Sequence, residues 1–125
     1  MGYCFGGMGA IEAARGNLNI NGVISFHGGL DCENTQLTKS IRAKLLVLHG
    51  QDAPIVSKIQ VDAFVAEMKA VNSDLQLIVY ANTVNSFTDP AVGSDSSKSS
   101  PYNPVSAYRS WNQMEVFLKE IFHTY

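Results

Sequence analysis

A chain of 125 residues is long enough for one domain with a modest core. Hydrophobic residues make up 46% of it and charged residues 16%, a balance that excludes a disordered chain. Its net charge of −2 offers no electrostatic footprint for nucleic acid or an anionic membrane surface. No apolar run approaches the roughly 20 residues that cross a bilayer, and the start is glycine-rich rather than a signal peptide. Two cysteines, Cys4 and Cys32, are too few for a disulfide framework. A cytoplasmic chain with neither membrane nor nucleic-acid partner is expected.

Residues 2–9, Gly-Tyr-Cys-Phe-Gly-Gly-Met-Gly, have the composition of a tight turn. A short helix is predicted over Ala10–Arg15, stopping at the cap pair Gly16-Asn17. Gly22–His27 reads as a strand ending at Gly28-Gly29, Lys44–His49 as a second ending at Gly50, and Leu75–Tyr80 as a third. The second is almost continuously apolar, as a parallel strand covered on both faces should be. Between the second and third, Ser57–Val71 has helical periodicity, with Val61, Phe64, Val65, Met68 and Val71 on one face and Ser57 as its cap. Residues 91–101, with five serines, form a polar loop. The last helix, Pro104–Phe122, is predicted to bury a stripe of Ala107, Tyr108, Trp111, Met114, Leu118, Ile121 and Phe122.

Strands alternating with helices at this spacing predict an α/β fold of about three parallel strands with flanking helices. That sheet is small, and the helix after the glycine motif wants a strand before it. Residues 1–125 therefore read as one partial domain, the C-terminal portion of a larger α/β fold whose front half is absent.

Gly2-x-Cys4-x-Gly6-Gly7 ahead of a helix has the form of a nucleophile elbow. The glycines leave room for a strained backbone. The helix start directs N–H groups at the thiol and at any developing oxyanion. Asp52, in His49-Gly50-Gln51-Asp52, follows the end of a parallel strand, where a carboxylate can orient a base; a turn-forming role is its ordinary alternative. Nucleophile, then Asp after a later strand, then a base after the next, is the chain order of α/β hydrolases.

With these motifs in place the chain resembles the dienelactone hydrolases, a cysteine-using branch of the α/β-hydrolase superfamily. The resemblance rests on Gly-Tyr-Cys-Phe-Gly-Gly at 2–7, Ser-Phe-His-Gly at 25–28, Leu-His-Gly-Gln-Asp at 48–52, Ser-Phe-Thr-Asp-Pro at 86–90, and the run from Ala107 to Met114 followed by Phe117-Leu118. It implies hydrolysis of a small-molecule carboxylic ester or lactone, with Cys4 as nucleophile, Asp52 as orienting acid and the Phe5 N–H as one oxyanion donor. Nothing in the sequence calls for a cofactor. The family pattern has a histidine just before Ser-Phe-Thr, where this chain has Asn85. An amide cannot take and return a proton near neutral pH. The resemblance also implies a second oxyanion donor from the missing early strands, a loss worth about 3–4 kcal/mol of transition-state stabilisation.

His27 and His49 both end strands on the edge that carries the site. The ordinary reading of each is structural, and replacement of the lost base by His27 is the lesser alternative. No pair among Cys4, His27, His49 and Asp52 has a local metal-ligand spacing, so no metal is expected. Cys32 reads as an incidental thiol and His123 as a solvated one-off. Two functions compete: an impaired hydrolase, and an inactive fragment or interaction module. The outer edge of Gly22–His27 is expected to lack a neighbour and so to drive homo-oligomers.

Overall fold

The computed structural model describes residues 1–32, 38–93 and 101–122. Among them run β1 (Gly2–Tyr3), α1 (Phe5–Arg15), β2 (Gly22–Phe26), β3 (Lys44–Gly50), α2 (Lys58–Ala70), β4 (Leu75–Tyr80), a single 3₁₀ turn at Pro90–Val92, and α3 (Pro104–Ile121). The strands form one parallel sheet in the order β1-β2-β3-β4. The three expected strands are present within a residue of their predicted ends, and the two-residue β1 adds a fourth.

Both faces of the sheet are covered. On one, Val23, Leu45 and Val47 pack with Ile11 and Ala14 of α1 and Phe64 and Met68 of α2. On the other, Ile24, Phe26, Leu46 and Leu48 meet Phe87 together with Met114 and Phe117 of α3. Alternate residues of β2 and β3 thus face opposite cores, which explains the continuous apolar run of β3. Ser57 caps α2 in a reciprocal capping box with Gln60. The left-handed residue that ends α1 is Asn17 (φ 53°), not Gly16 (φ −72°).

Four expectations change. Helix α1 starts at Phe5, five residues before the predicted Ala10. Gly6, Gly7 and Gly9 are inside the helix and Gly2 is in β1, and two of the four, Gly2 and Gly7, sit at close approaches. A Cβ on Gly2 would overlap the Gly6 carbonyl, and one on Gly7 would come within 2.5 Å of Ser25 Oγ. The stripe of α3 is also rotated: Tyr108 and Trp111 are exposed, and Ser106, Ser110, Met114 and Phe117 are buried. The small serines let the helix sit close. Ser106 Oγ shares a 2.8 Å hydrogen bond with Thr83 Oγ1, and Ser110 donates to the Ala107 carbonyl. On α2, Val65 is exposed for the same kind of reason, since Glu67 takes the inward place. Finally, the outer edge of β2 is partly covered, because Gly2 and Tyr3 of β1 pair with Ser25 and Phe26, while Gly22, Val23 and Ile24 have no strand partner on that side among the described residues. No helix among the described residues is long and apolar enough to cross a membrane.

Candidate active site

Cys4 is the single residue between β1 and α1, and it bends the chain with φ 52° and ψ −118°. A side chain there costs about 1–3 kcal/mol and persists only where the surroundings fix it. They do so through the backbone: Cys4 N–H donates to the Phe26 carbonyl at 3.0 Å, and the Cys4 carbonyl accepts from Met8 N–H at 3.1 Å. The thiol is left exposed at the C-terminal edge of the sheet. Phe5 opens α1, so its N–H is among those with no acceptor inside the helix.

The parallel register brings a second group to the thiol. Tyr3 lies opposite Phe26, so Cys4 and His27 leave the sheet side by side. His27 Nδ1 is 3.1 Å from Cys4 Sγ, and His27 Nε2 is 2.8 Å from Thr88 Oγ1. The ring stacks edge-on against Phe87, with centroids 4.9 Å apart. Burial disfavours the imidazolium and lowers the His27 pKa to about 4, against a weaker upward pull from its own backbone hydrogen bond and from Asp89. Ser86 Oγ is a further 3.6 Å contact of the thiol.

Among the described non-glycine residues, six have positive φ: Asn17, Asn72 and Asn82, where asparagine is tolerated, and Cys4, His27 and Ser86. The second three meet at one place. They wall a cavity of about 420 Å³ whose lining is completed by Phe5, Met8, Gly29, Asp31, Ile55 and Asn85. Backbone strain gathered at a cleft that holds a thiol and an imidazole is the arrangement expected of a reaction centre.

Residues 1–122 match the family model described as the dienelactone hydrolase family. The chain belongs to that family. It is 38% identical over 123 residues to an uncharacterized protein of Caenorhabditis elegans, covering 97% of this chain and 78% of the relative. It superposes with a TM-score of 0.88, at 34% identity, on a dienelactone hydrolase-like promiscuous phosphotriesterase from metagenomic libraries, over 96% of this chain and 50% of that one. An alpha/beta hydrolase enzyme from a Medee basin deep-sea metagenome library, 17% identical over 96% of this chain and 52% of its own, shares the fold with a TM-score of 0.66. The chain spans about half the length of these solved relatives.

Of the residues that the family resemblance singles out, Cys4, Phe5 and Asn85 share the cavity, and Asn85 is buried. Asp52 does not join them. It is exposed in the turn after β3, where its N–H donates to the Thr83 carbonyl at 2.9 Å. Among the described residues no hydrogen bond links its carboxylate to Asn85 or Cys4. His49 is buried at the end of β3, where desolvation lowers its pKa, and it lines a separate cavity with Lys58 and Asp62. Cys32 is a half-buried free thiol, and His123 lies outside the described residues. The sequence named His27 only as the lesser alternative and gave no sign that Thr88 adjoins it or that Ser86 adjoins Cys4. The parallel pairing of β1 with β2 is the signal that joins the Cys4 and His27 motifs, and two residues of strand are too short to read from composition.

Proposed function

We propose that this chain is a carboxylic-ester or lactone hydrolase that works through a thioester on Cys4. The observation that carries the reading is the thiol on a strained elbow, at the start of α1 and within hydrogen-bond distance of an imidazole. Sulfur attacks the ester carbonyl, and the developing oxyanion is taken up by the Phe5 N–H and the positive end of α1. The alcohol leaves, and water then releases the acid and restores the thiol. Asn85 walls the site without shuttling protons. Among the described residues of the lining, Asp31 is the one charged side chain, and none is lysine or arginine. This favours an uncharged ester over one carrying a carboxylate. No cofactor enters the scheme.

The test is hydrolysis of a small neutral aryl ester. Slow turnover that disappears in Cys4→Ala supports the reading, and turnover unchanged by that substitution refutes it. Asn85→His is expected to raise the rate by less than about tenfold, below the usual 10²–10⁴ of a well-placed general base. The reason is that the Asp52 carboxylate, which would orient a histidine at that position, stands outside the cavity. A gain of a hundredfold or more would show that Asp52 reaches the site in the working protein.

A further inference from the structure

We infer that His27, held by Thr88, is the base that serves Cys4 in this chain, in place of the histidine missing at position 85. The inference rests on the hydrolase reading above and names its proton carrier. His27 has one ring nitrogen on the reacting sulfur and the other on a hydroxyl, at 3.1 and 2.8 Å. That is the geometry of a base whose tautomer is set by a third group. With the proton on Nε2 donated to Thr88 Oγ1, the Nδ1 lone pair faces the Cys4 S–H. A merely structural histidine at a strand end needs neither contact, nor the strained φ of 43° that aims its ring at the thiol.

The titratable groups around the ring are Cys4 on the elbow, Tyr3 on β1 with its ring centroid 6.0 Å away, Asp31 across the cavity, and Asp89 beyond Thr88. Burial outweighs Asp89 and leaves the Nδ1 lone pair free near pH 7, while it opposes an imidazolium that is not paired with the Cys4 thiolate beside it. In the acylation step the S–C bond forms as the thiol proton passes to Nδ1. The imidazolium then gives that proton to the departing alcohol as the C–O bond breaks. In deacylation Nδ1 takes a proton from the attacking water, and the imidazolium returns it to the expelled sulfur. Ester and water become acid and alcohol with nothing left over. Thr88 is a positioning residue, since it touches only the base.

The experiment follows alkylation of Cys4 by iodoacetamide at neutral pH in a Cys32→Ser background, alongside aryl-ester turnover. His27→Gln is expected to slow alkylation at least tenfold, and added imidazole is expected to restore much of the rate in His27→Ala. An alkylation rate unchanged in His27→Gln overturns the inference. His27-dependent alkylation without ester turnover in the wild type upholds the pairing and refutes the hydrolase reading instead. Should the His27 variants fail to fold, Thr88→Val and Thr88→Ser decide the matter. Slow alkylation in the valine variant with recovery in the serine variant supports a His27 base positioned by the hydroxyl, and equal rates in the two overturn it.

Discussion

Glu67→Ala is expected to destabilise the protein by about 3–5 kcal/mol, a large part of the roughly 5–15 kcal/mol that holds a domain of this size. Glu67 and Arg15 form a buried, two-pronged pair. Arg15 Nε donates to Glu67 Oε2 at 2.9 Å and Nη2 to Oε1 at 2.7 Å, with both side chains at most 5% exposed. Arg15 also binds Glu12 and the carbonyls of Leu30 and Asp31, and Thr38 donates to Glu67 at 2.8 Å. Burial opposes the guanidinium charge, but Glu67 and Glu12 outweigh it and raise the Arg15 pKa above its ordinary value. Removing Glu67 leaves a desolvated cation without its main partner. The pair ties the end of α1 to α2 and to the loop bearing Gly29 and Asp31, so the candidate site should loosen as well. Urea denaturation measures the loss. The double replacement Arg15→Met with Glu67→Leu should cost less than Glu67→Ala alone, because no charge is left buried. A loss below about 1 kcal/mol in Glu67→Ala would contradict this account of the core.

The second large effect is on acid stability. The His27 pKa is about 4 in the folded protein and about 6.5 in an unfolded chain. Between those values the unfolded state binds more protons, so stability rises with pH in that window. The contribution is fully present above about pH 6.5, is lost progressively as pH falls to about 4, and changes no further below that. A gap of this size is worth about 3 kcal/mol. His49 is shifted in the same direction by burial and adds to the same loss. The urea midpoint at pH 4.5 should lie well below that at pH 7.5, and His27→Gln should flatten the difference to what His49 leaves. A midpoint independent of pH over this range would show that His27 is not desolvated in the native state.

The strands and α2 were legible in the sequence because their signals are local: β3 is almost continuously apolar, and Ser57 stands where a helix cap belongs. Cys4 stood out because a thiol flanked by glycines at 2, 6 and 7 has the form of a nucleophile elbow. The features that escaped were made by contacts between distant residues. Arg15 and Glu67 are 52 positions apart and read separately as a helix end and a polar helix position. With the Ser106–Thr83 hydrogen bond in place, Ser106, Ser110, Met114 and Phe117 face the sheet rather than Tyr108 and Trp111, and Trp111 donates to Glu115 on the outer side. Periodicity alone ranks side chains by hydrophobicity and cannot register how closely a helix approaches. The nearness of His27 to Cys4 was not legible for a related reason. Family order pointed to position 85, whereas the pairing of Tyr3 with Phe26 sets His27 beside the sulfur.

If Cys4 is the nucleophile, an acyl group can be trapped on its sulfur. The protein is mixed with a small activated aryl ester, quenched in acid within the first turnover, digested and analysed by mass spectrometry. One acyl group on the peptide that carries Cys4, labile to hydroxylamine and absent from Cys4→Ala, is the predicted result. Release of the aryl alcohol with no acyl group on Cys4, or with the group on Cys32 instead, would contradict it.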